Sequence, residues 1–230
     1  MQKDLHSMSN RTHTHLHTPL VFALVLSALA GCNLVGPAAY FISGPTKVPA
    51  QFELPNDRPA VVFIDDRGSS LPSRTTRQRI SQAAERTLLD GKAVAKSEII
   101  SSNALIPIAT QERFGKPSGI VQMGKSVGAD IVVYAIVDGF TLSPDGQEFA
   151  PYARARVKVV DTKSKLRLWP SEQQEWFPIE SRVPTKTALL PQNLSDRTSA
   201  EYELADMLGR DIARAFIEYS PEDVSQRVGD

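Results

Sequence analysis

Apolar positions along the chain fall into short runs with two different periods. Ala60-Val61-Val62-Phe63-Ile64, rich in β-branched residues and closed by Asp65-Asp66, predicts a buried strand. Pro72-Ser73 offers a helix start, and Ile80, Ala84, Thr87 and Leu88 then recur at helical spacing up to Asp90-Gly91. Ser97-Glu98-Ile99-Ile100 predicts a second, short strand, and Ser101-Ser102-Asn103 a cap for a helical stretch that Pro107 interrupts. After the break at Gly115-Lys116-Pro117, with Pro117 at a first helical position, Ile120, Met123 and Val127 share one helical face. Gly128 suits the residue just past a helix end.

Ile131-Val132-Val133-Tyr134-Ala135-Ile136-Val137 is apolar almost throughout, as a central strand covered on both faces should be. From Tyr152 to Asp161 the pattern changes. Ala153, Ala155, Val157 and Val159 alternate with Arg154, Arg156 and Lys158, which predicts a strand with one wet side. Asp161 to Lys165 reads as a turn and Leu166 to Trp169 as the returning strand, with Glu175-Trp176-Phe177 extending the sheet or packing on its edge. Pro184 to Asn193 reads as loop. Leu204, Leu208, Ile212, Ala215 and Tyr219 mark a long amphipathic terminal helix. The order is β-α-β-α-β-β-β-α. Alternation first and hairpins later imply an α/β fold, a mixed sheet packed with helices, spanning residues 59–220 as one domain with a tail at 221–230.

The amino-terminal pattern has another purpose. Eleven apolar or small residues, Leu20 to Ala30, follow Lys3 and Arg11, and a bilayer-spanning helix needs roughly 20. The run fits the core of a signal peptide, and Met8 offers a second start that shortens its leading region. Leu29-Ala30-Gly31-Cys32 resembles the bacterial lipobox. The resemblance implies cleavage before Cys32, a diacylglycerol on its sulfur and usually an acyl chain such as palmitate on the new amino terminus. Small residues at 30 and 31 suit a peptidase groove, and several acyl chains anchor far better than one because each buried CH₂ adds about 0.8 kcal/mol. An ordinary secretory signal with an incidental cysteine is the alternative. In lipoproteins of this kind an aspartate after the cysteine implies retention at the inner membrane. Asn33 therefore points to the outer membrane, facing the periplasm. Residues 32–58 read as the lipidated cysteine and a flexible tether, with Pro37, Pro45, Pro49 and Pro55 breaking regular structure before Pro59. As a coil it reaches roughly 30 Å. Tyr40-Phe41-Ile42 is a small apolar patch within it, suited to resting on the membrane or the domain.

Cleavage at that point changes the available chemistry. All four histidines (His6, His13, His15, His17) are lost with residues 1–31, and the chain's one cysteine becomes a thioether. Ser-His-Asp and Cys-His nucleophiles, His/Cys zinc sites and His- or Cys-ligated haem then have no residues to draw on. Hydrophobic residues at 41% supply a core, and a formal net charge of zero gives no general attraction for nucleic acid. No phosphate-binding glycine loop is present, since Gly115-Lys116-Pro117-Ser118 lacks the preceding glycine. The sequence implies no cofactor.

Two motifs resemble a known group. Gly124-Lys125-Ser126-Val127-Gly128-Ala129-Asp130 running into Ile131-Val132-Val133-Tyr134, and Val159-Val160-Asp161-Thr162-Lys163 followed by Trp169, are similar to the domain shared by three envelope proteins. These are the curli-secretion lipoprotein, the lipoprotein activators of penicillin-binding proteins, and the amino-terminal domain of the Tol-system β-propeller protein. Pro49-Ala50-Gln51 and Arg58-Pro59 further resemble uncharacterised envelope lipoproteins. The resemblance implies a lipid-anchored domain that binds another envelope component, an envelope protein or the cell wall; members differ in partner. A secretion pore does not fit, because barrel strands need roughly ten alternating residues with an uncharged face, and no pair of segments provides them.

Three sets of side chains are candidates for function. Asp65 and Asp66 end the first strand and Asp138 ends the central one, where ligands gather in such sheets; together they could hold Mg²⁺ or Ca²⁺, whereas the plain reading is turn chemistry beside Gly68 and Gly139. Arg154, Arg156 and Lys158, joined by Arg167, form a basic stripe that suits an acidic protein or anionic glycan, or a merely solvated face. Trp169-Pro170 and Trp176-Phe177 suit core or edge packing, or a platform for a sugar ring. The expectation is a non-catalytic, lipid-anchored envelope protein that recruits or regulates a partner. The alternatives are a carboxylate- or metal-dependent envelope hydrolase built on Asp65, Asp66 and Asp138, and a structural lipoprotein bridging membrane and wall.

Overall fold

The computed structural model describes residues 47–105, 119–185 and 189–221. Cys32 with residues 1–31, the Tyr40-Phe41-Ile42 patch, the breaks at Pro107 and Pro117 and the tail beyond Pro221 lie outside the described residues. In chain order the elements are β1 (Ala60–Asp65), α1 (Arg74–Asp90), β2 (Ile99–Ile100), a 3₁₀ turn (Ser102–Leu105), α2 (Ile120–Ser126), β3 (Ile131–Thr141), β4 (Tyr152–Asp161), β5 (Arg167–Trp169), β6 (Phe177–Arg182) and α3 (Leu194–Arg214). The fold is the expected α/β class, a mixed six-stranded sheet packed with helices. Among the described residues no helix is long and apolar enough to cross a membrane.

The sheet runs β2-β1-β3-β4-β5, with β6 also on β4. β1 pairs parallel with β2 and β3, in the register Ala60 to Ile131 and Asp65 to Ile136. β4 returns antiparallel to β3, shares its Val159–Val160 end with β5 and gives its Tyr152–Val157 length to β6. Of the two readings of Glu175-Trp176-Phe177, the first holds: Phe177 opens β6, which extends the sheet to Arg182. Pro178 and Glu180 face outward and interrupt the apolar run, while Ser181 is buried by donating its hydroxyl to Asp211 at 2.6 Å.

Strand alternation divides the interior in two. Ala60, Val62 and Ile64 of β1, Ile131, Val133 and Ala135 of β3, and Ala155, Val157 and Val159 of β4 form one face, covered by α1 and α3. Both helices carry side-chain caps at their starts. Ser73 accepts the Thr76 backbone N–H at 3.0 Å, and Asn193 accepts that of Asp196 at 2.8 Å. Ile80, Leu204, Leu208 and Ile212 are fully buried between them. A Cβ on Gly209 would stand 2.3 Å from the Ile80 carbonyl oxygen, so the absence of a side chain sets how closely the two helices cross.

Val61, Val132, Tyr134 and Ile136 point the other way, under Leu105, Met123 and the flank of Trp176. Among the described residues this second cover is partial, and Arg154 and Arg156 of β4 stay exposed on that side. The two motifs that carried the family resemblance meet at the edge of this region. Thr162 donates to the Ala129 carbonyl at 2.8 Å, and Asp161 accepts Arg58 at 2.9 Å and the backbone of Lys163 at 2.7 Å. Arg58 also reaches Asp130 at 3.5 Å, and Lys163 pairs with the same carboxylate. Gly128, at φ +80°, turns the chain from α2 into this lock. The two motifs thus fix the β3–β4 pair against Arg58, in the segment before β1.

Residues 47–58 are part of the folded body, which differs from a tether running up to residue 58. Val48 pairs with Tyr219, the Gln51 backbone donates to the Ala215 carbonyl at 2.8 Å, and Leu54 is buried. Phe52 stacks on Trp169 at 6.3 Å, and Trp169 in turn meets Phe177 at 4.6 Å and Phe216 at 5.3 Å.

Candidate functional site

The open sheet face gathers aromatic rings and cations. Phe63 of β1 stacks on Tyr134 of β3 with centroids 5.6 Å apart, and Trp176, just before β6, lies 5.9 Å beyond Tyr134. Neighbouring strands stand less than 5 Å apart, so rings from residues of like parity meet across the sheet. The Lys158 ammonium sits 4.0 Å from the Trp176 ring centre and 5.8 Å from that of Tyr134; the Arg156 guanidinium is 5.2 Å from Trp176. The two tryptophans therefore serve opposite faces: Trp169 packs in the helix-covered core and Trp176 on the open side.

Each charged group on this face has a defined setting. Tyr134 is buried and donates its hydroxyl to Asp65, whose same oxygen accepts Arg67 at 2.7 Å. Burial, and then the nearby Asp65 carboxylate, holds the Tyr134 phenol far above the usual tyrosine range. Arg156 grips Asp138 in two bonds of 2.6 and 2.9 Å, which holds its guanidinium firmly in the charged form. Arg167 spends its donors on the carbonyls of Glu175, Ser171 and Glu172 at 3.3 to 3.4 Å, tying down the loop that carries Trp176. Lys158 is different. Partial burial pushes its ammonium below the usual lysine range, Arg167 and Arg67 push the same way, and Glu175 opposes them. Among the described residues Arg154, Lys158 and Arg167 have no carboxylate within ion-pair distance, while Arg67, Arg156 and Arg182 do.

The sequence-predicted basic stripe is thus brought together on one face. The carboxylates are not. Asp65 serves Tyr134 and Arg67. Asp66 accepts the backbone N–H groups of Ser70 at 2.6 Å and Leu71 at 3.3 Å, and Asp138 is held by Arg156. Among the described residues no group of three acidic, histidine or cysteine side chains is placed to hold a metal ion. Asp65, Asp66 and Asp138 are instead each engaged by a different neighbour and do not form one cluster. Tyr134, Phe63 and Arg67 were missed as members of the site; the one signal was an aromatic interrupting the aliphatic run Ile131–Val137.

A second feature lies at the carboxyl ends of β1 and β3. A cleft of about 480 Å³ opens between the loop Ser69–Pro72, the strand end Phe140–Ser143 and the first turns of α3, where Glu201 accepts Arg197 at 3.1 Å. Asp66 shapes its wall through the Ser70 and Leu71 backbone.

No protein-family model matches the chain, and no curated protein matches it. Among solved structures the PelC dodecamer from Paraburkholderia phytofirmans aligns at a TM-score of 0.40 with 13% identity, covering 75% of this chain and 96% of that one. Lipoprotein GNA1162 from Neisseria meningitidis aligns at 0.38 with 13% identity, covering 54% of this chain and 83% of its own. The LpoB C-terminal domain from Salmonella enterica aligns at 0.31 with 15% identity, covering 60% and 86%. Likeness at this level carries no function across.

Proposed function

We propose that the chain is a lipid-anchored cell-envelope protein, non-catalytic, whose α/β domain recruits or regulates an envelope partner through the open face of its sheet. The observation that carries the binding half is the Lys158 ammonium, without an ion-pair partner and fixed over Trp176 on the strand that also presents Arg154. A partly buried charge without a carboxylate partner is costly, and a partner that supplies the opposite charge offsets that cost. The anchoring half rests on Leu29-Ala30-Gly31-Cys32, with Asn33 favouring the outer membrane. A lipid at residue 32 confines the domain to a thin layer beside the membrane, which raises its effective concentration towards partners in the same layer.

Two measurements test this. Labelling cells with radioactive palmitate should mark the wild-type chain and leave Cys32→Ser unmarked and released from membranes. Photo-crosslinking from position 180, exposed and opposite Arg154 in register, should trap one discrete envelope partner in intact cells, and the double change Arg154→Glu, Lys158→Glu should abolish that product. An unlabelled wild-type chain, or a crosslink indifferent to charge reversal, rejects the reading.

A further inference from the structure

The cations of the open face have a spacing, and the spacing selects a partner. Arg154, Arg156 and Lys158 project from alternate positions of β4. The middle one is neutralised by its two bonds to Asp138. What remains without an ion-pair partner is Arg154 and Lys158, four residues apart on one strand and therefore about 13 Å apart at 3.3 Å per residue. Arg167 adds positive potential beside Lys158, and Glu180, opposite Arg154 in register, is within 3.9 Å of Arg182. Resting on the reading that this face is the docking face, we infer that its partner is an extended acidic polypeptide segment with carboxylates four residues apart and an uncharged residue midway. A strand laid along β4 has the same rise per residue, so its carboxylates meet Arg154 and Lys158 while its central residue faces the closed Arg156–Asp138 pair.

The aromatic geometry decides against a glycan. Sugar recognition by tryptophan uses an open ring face. Here Lys158 and Arg156 lie over the Trp176 ring and Tyr134 packs against it. Trp176 is engaged as the support of the cations, and a ligand reaches it as an anion meeting those cations.

The test uses the full lipidated chain in neutral detergent micelles at low salt, where exposed charge pairs are least screened. The probes are two blocked heptapeptides of equal composition: Thr-Glu-Thr-Ser-Thr-Glu-Thr, and an isomer with the two glutamates adjacent. Binding is read from intrinsic fluorescence, with Trp176→Phe identifying the responding ring. The spaced peptide should bind about three- to fivefold more tightly than its isomer. Arg154→Gln or Lys158→Gln should each erase that preference, and Lys158→Arg should keep it. Unchanged thermal unfolding of these surface variants shows the fold is retained. Equal affinity for the two isomers, a preference that survives both variants, or tighter binding of an oligogalacturonate than of the spaced peptide overturns the inference. If the peptides fail while charge reversal still abolishes the cellular crosslink, the docking face stands and the acidic strand is wrong; if both are indifferent, both fall.

Discussion

The Lys158 ammonium stands 4.0 Å from the centre of the Trp176 ring, and a third residue keeps it there: Arg167, which clamps the 171–175 loop through three carbonyls. The same guanidinium that positions the ring also repels the ammonium. Position and electrostatics are therefore coupled through one side chain, and the coupling can be measured.

Arg167→Gln removes a like charge from beside Lys158 and loosens the loop that buries it. Both changes favour the charged amine, so the Lys158 titration should move up towards the ordinary lysine range. Glu175→Gln removes the opposing negative charge and should move it further down. NMR titration of the Lys158 side chain checks both signs. Identical midpoints in the two variants would separate Trp176 and its loop from the charge balance argued above.

Acid should open the lock between Arg58 and Asp161. Hydrogen bonding to Arg58, outweighing the opposing effect of burial, lowers the Asp161 carboxyl to about 2, against about 3.9 in an unfolded chain. A depressed folded value means the pair stabilises fully above about pH 4 and is lost as pH falls through 2. The contribution is on the order of 1 kcal/mol, less than the full shift implies, because Arg58 keeps 27% of its side chain in water. Urea unfolding at pH 6 and pH 2.5 should show Asp161→Asn destabilised at the higher pH and closer to wild type at the lower. A constant difference between the two chains across that range would contradict it.

Which parts of this arrangement the sequence announces follows from where their partners come from. β3 was legible because aliphatic residues at both parities report a strand covered on two sides. α1 and α3 were legible because Ile80, Ala84 and Leu88, then Leu204, Leu208 and Ile212, repeat at helical spacing and lie buried as that spacing requires. The cationic stripe was legible because alternation within β4 is a local signal. The ring stack was not, since Phe63, Tyr134 and Trp176 come from three distant segments and meet only after register is fixed. Nor was the failure of the acidic cluster, because Asp138 is consumed by Arg156 of the next strand and Asp65 by Tyr134 of its neighbour.

Gly209 should tolerate no side chain. A methyl group there would meet the Ile80 carbonyl at 2.3 Å and the Ala83 side chain at 2.7 Å, and a backbone oxygen has no rotamer by which to yield. α1 and α3 must separate, opening the core they share with the sheet. Gly209→Ala should cost about 1–3 kcal/mol in urea unfolding despite the better helix propensity of alanine. Gly139→Ala is the contrast: nothing lies within 4 Å of its added carbon, and its effect should stay within about 0.5 kcal/mol.

The segment before β1 is the place where composition misleads, and its contacts make a prediction about where a stable fragment must begin. Pro49 and Pro55 suggest a spacer, yet between them Phe52 reaches Trp169 and Leu54 is 6% exposed in the main core. Prolines exclude regular structure without excluding burial of the side chains around them. Leu54→Ala should therefore cost about 2–4 kcal/mol, as for a core leucine and not a linker residue. A chain starting at Pro59 loses Phe52, Leu54, the Val48–Tyr219 bridge and the Arg58 side of the Asp161 lock together. It should unfold at markedly lower urea than a chain starting at Lys47. Equal midpoints for the two fragments would return residues 47–58 to the role of a spacer and leave the domain complete without them.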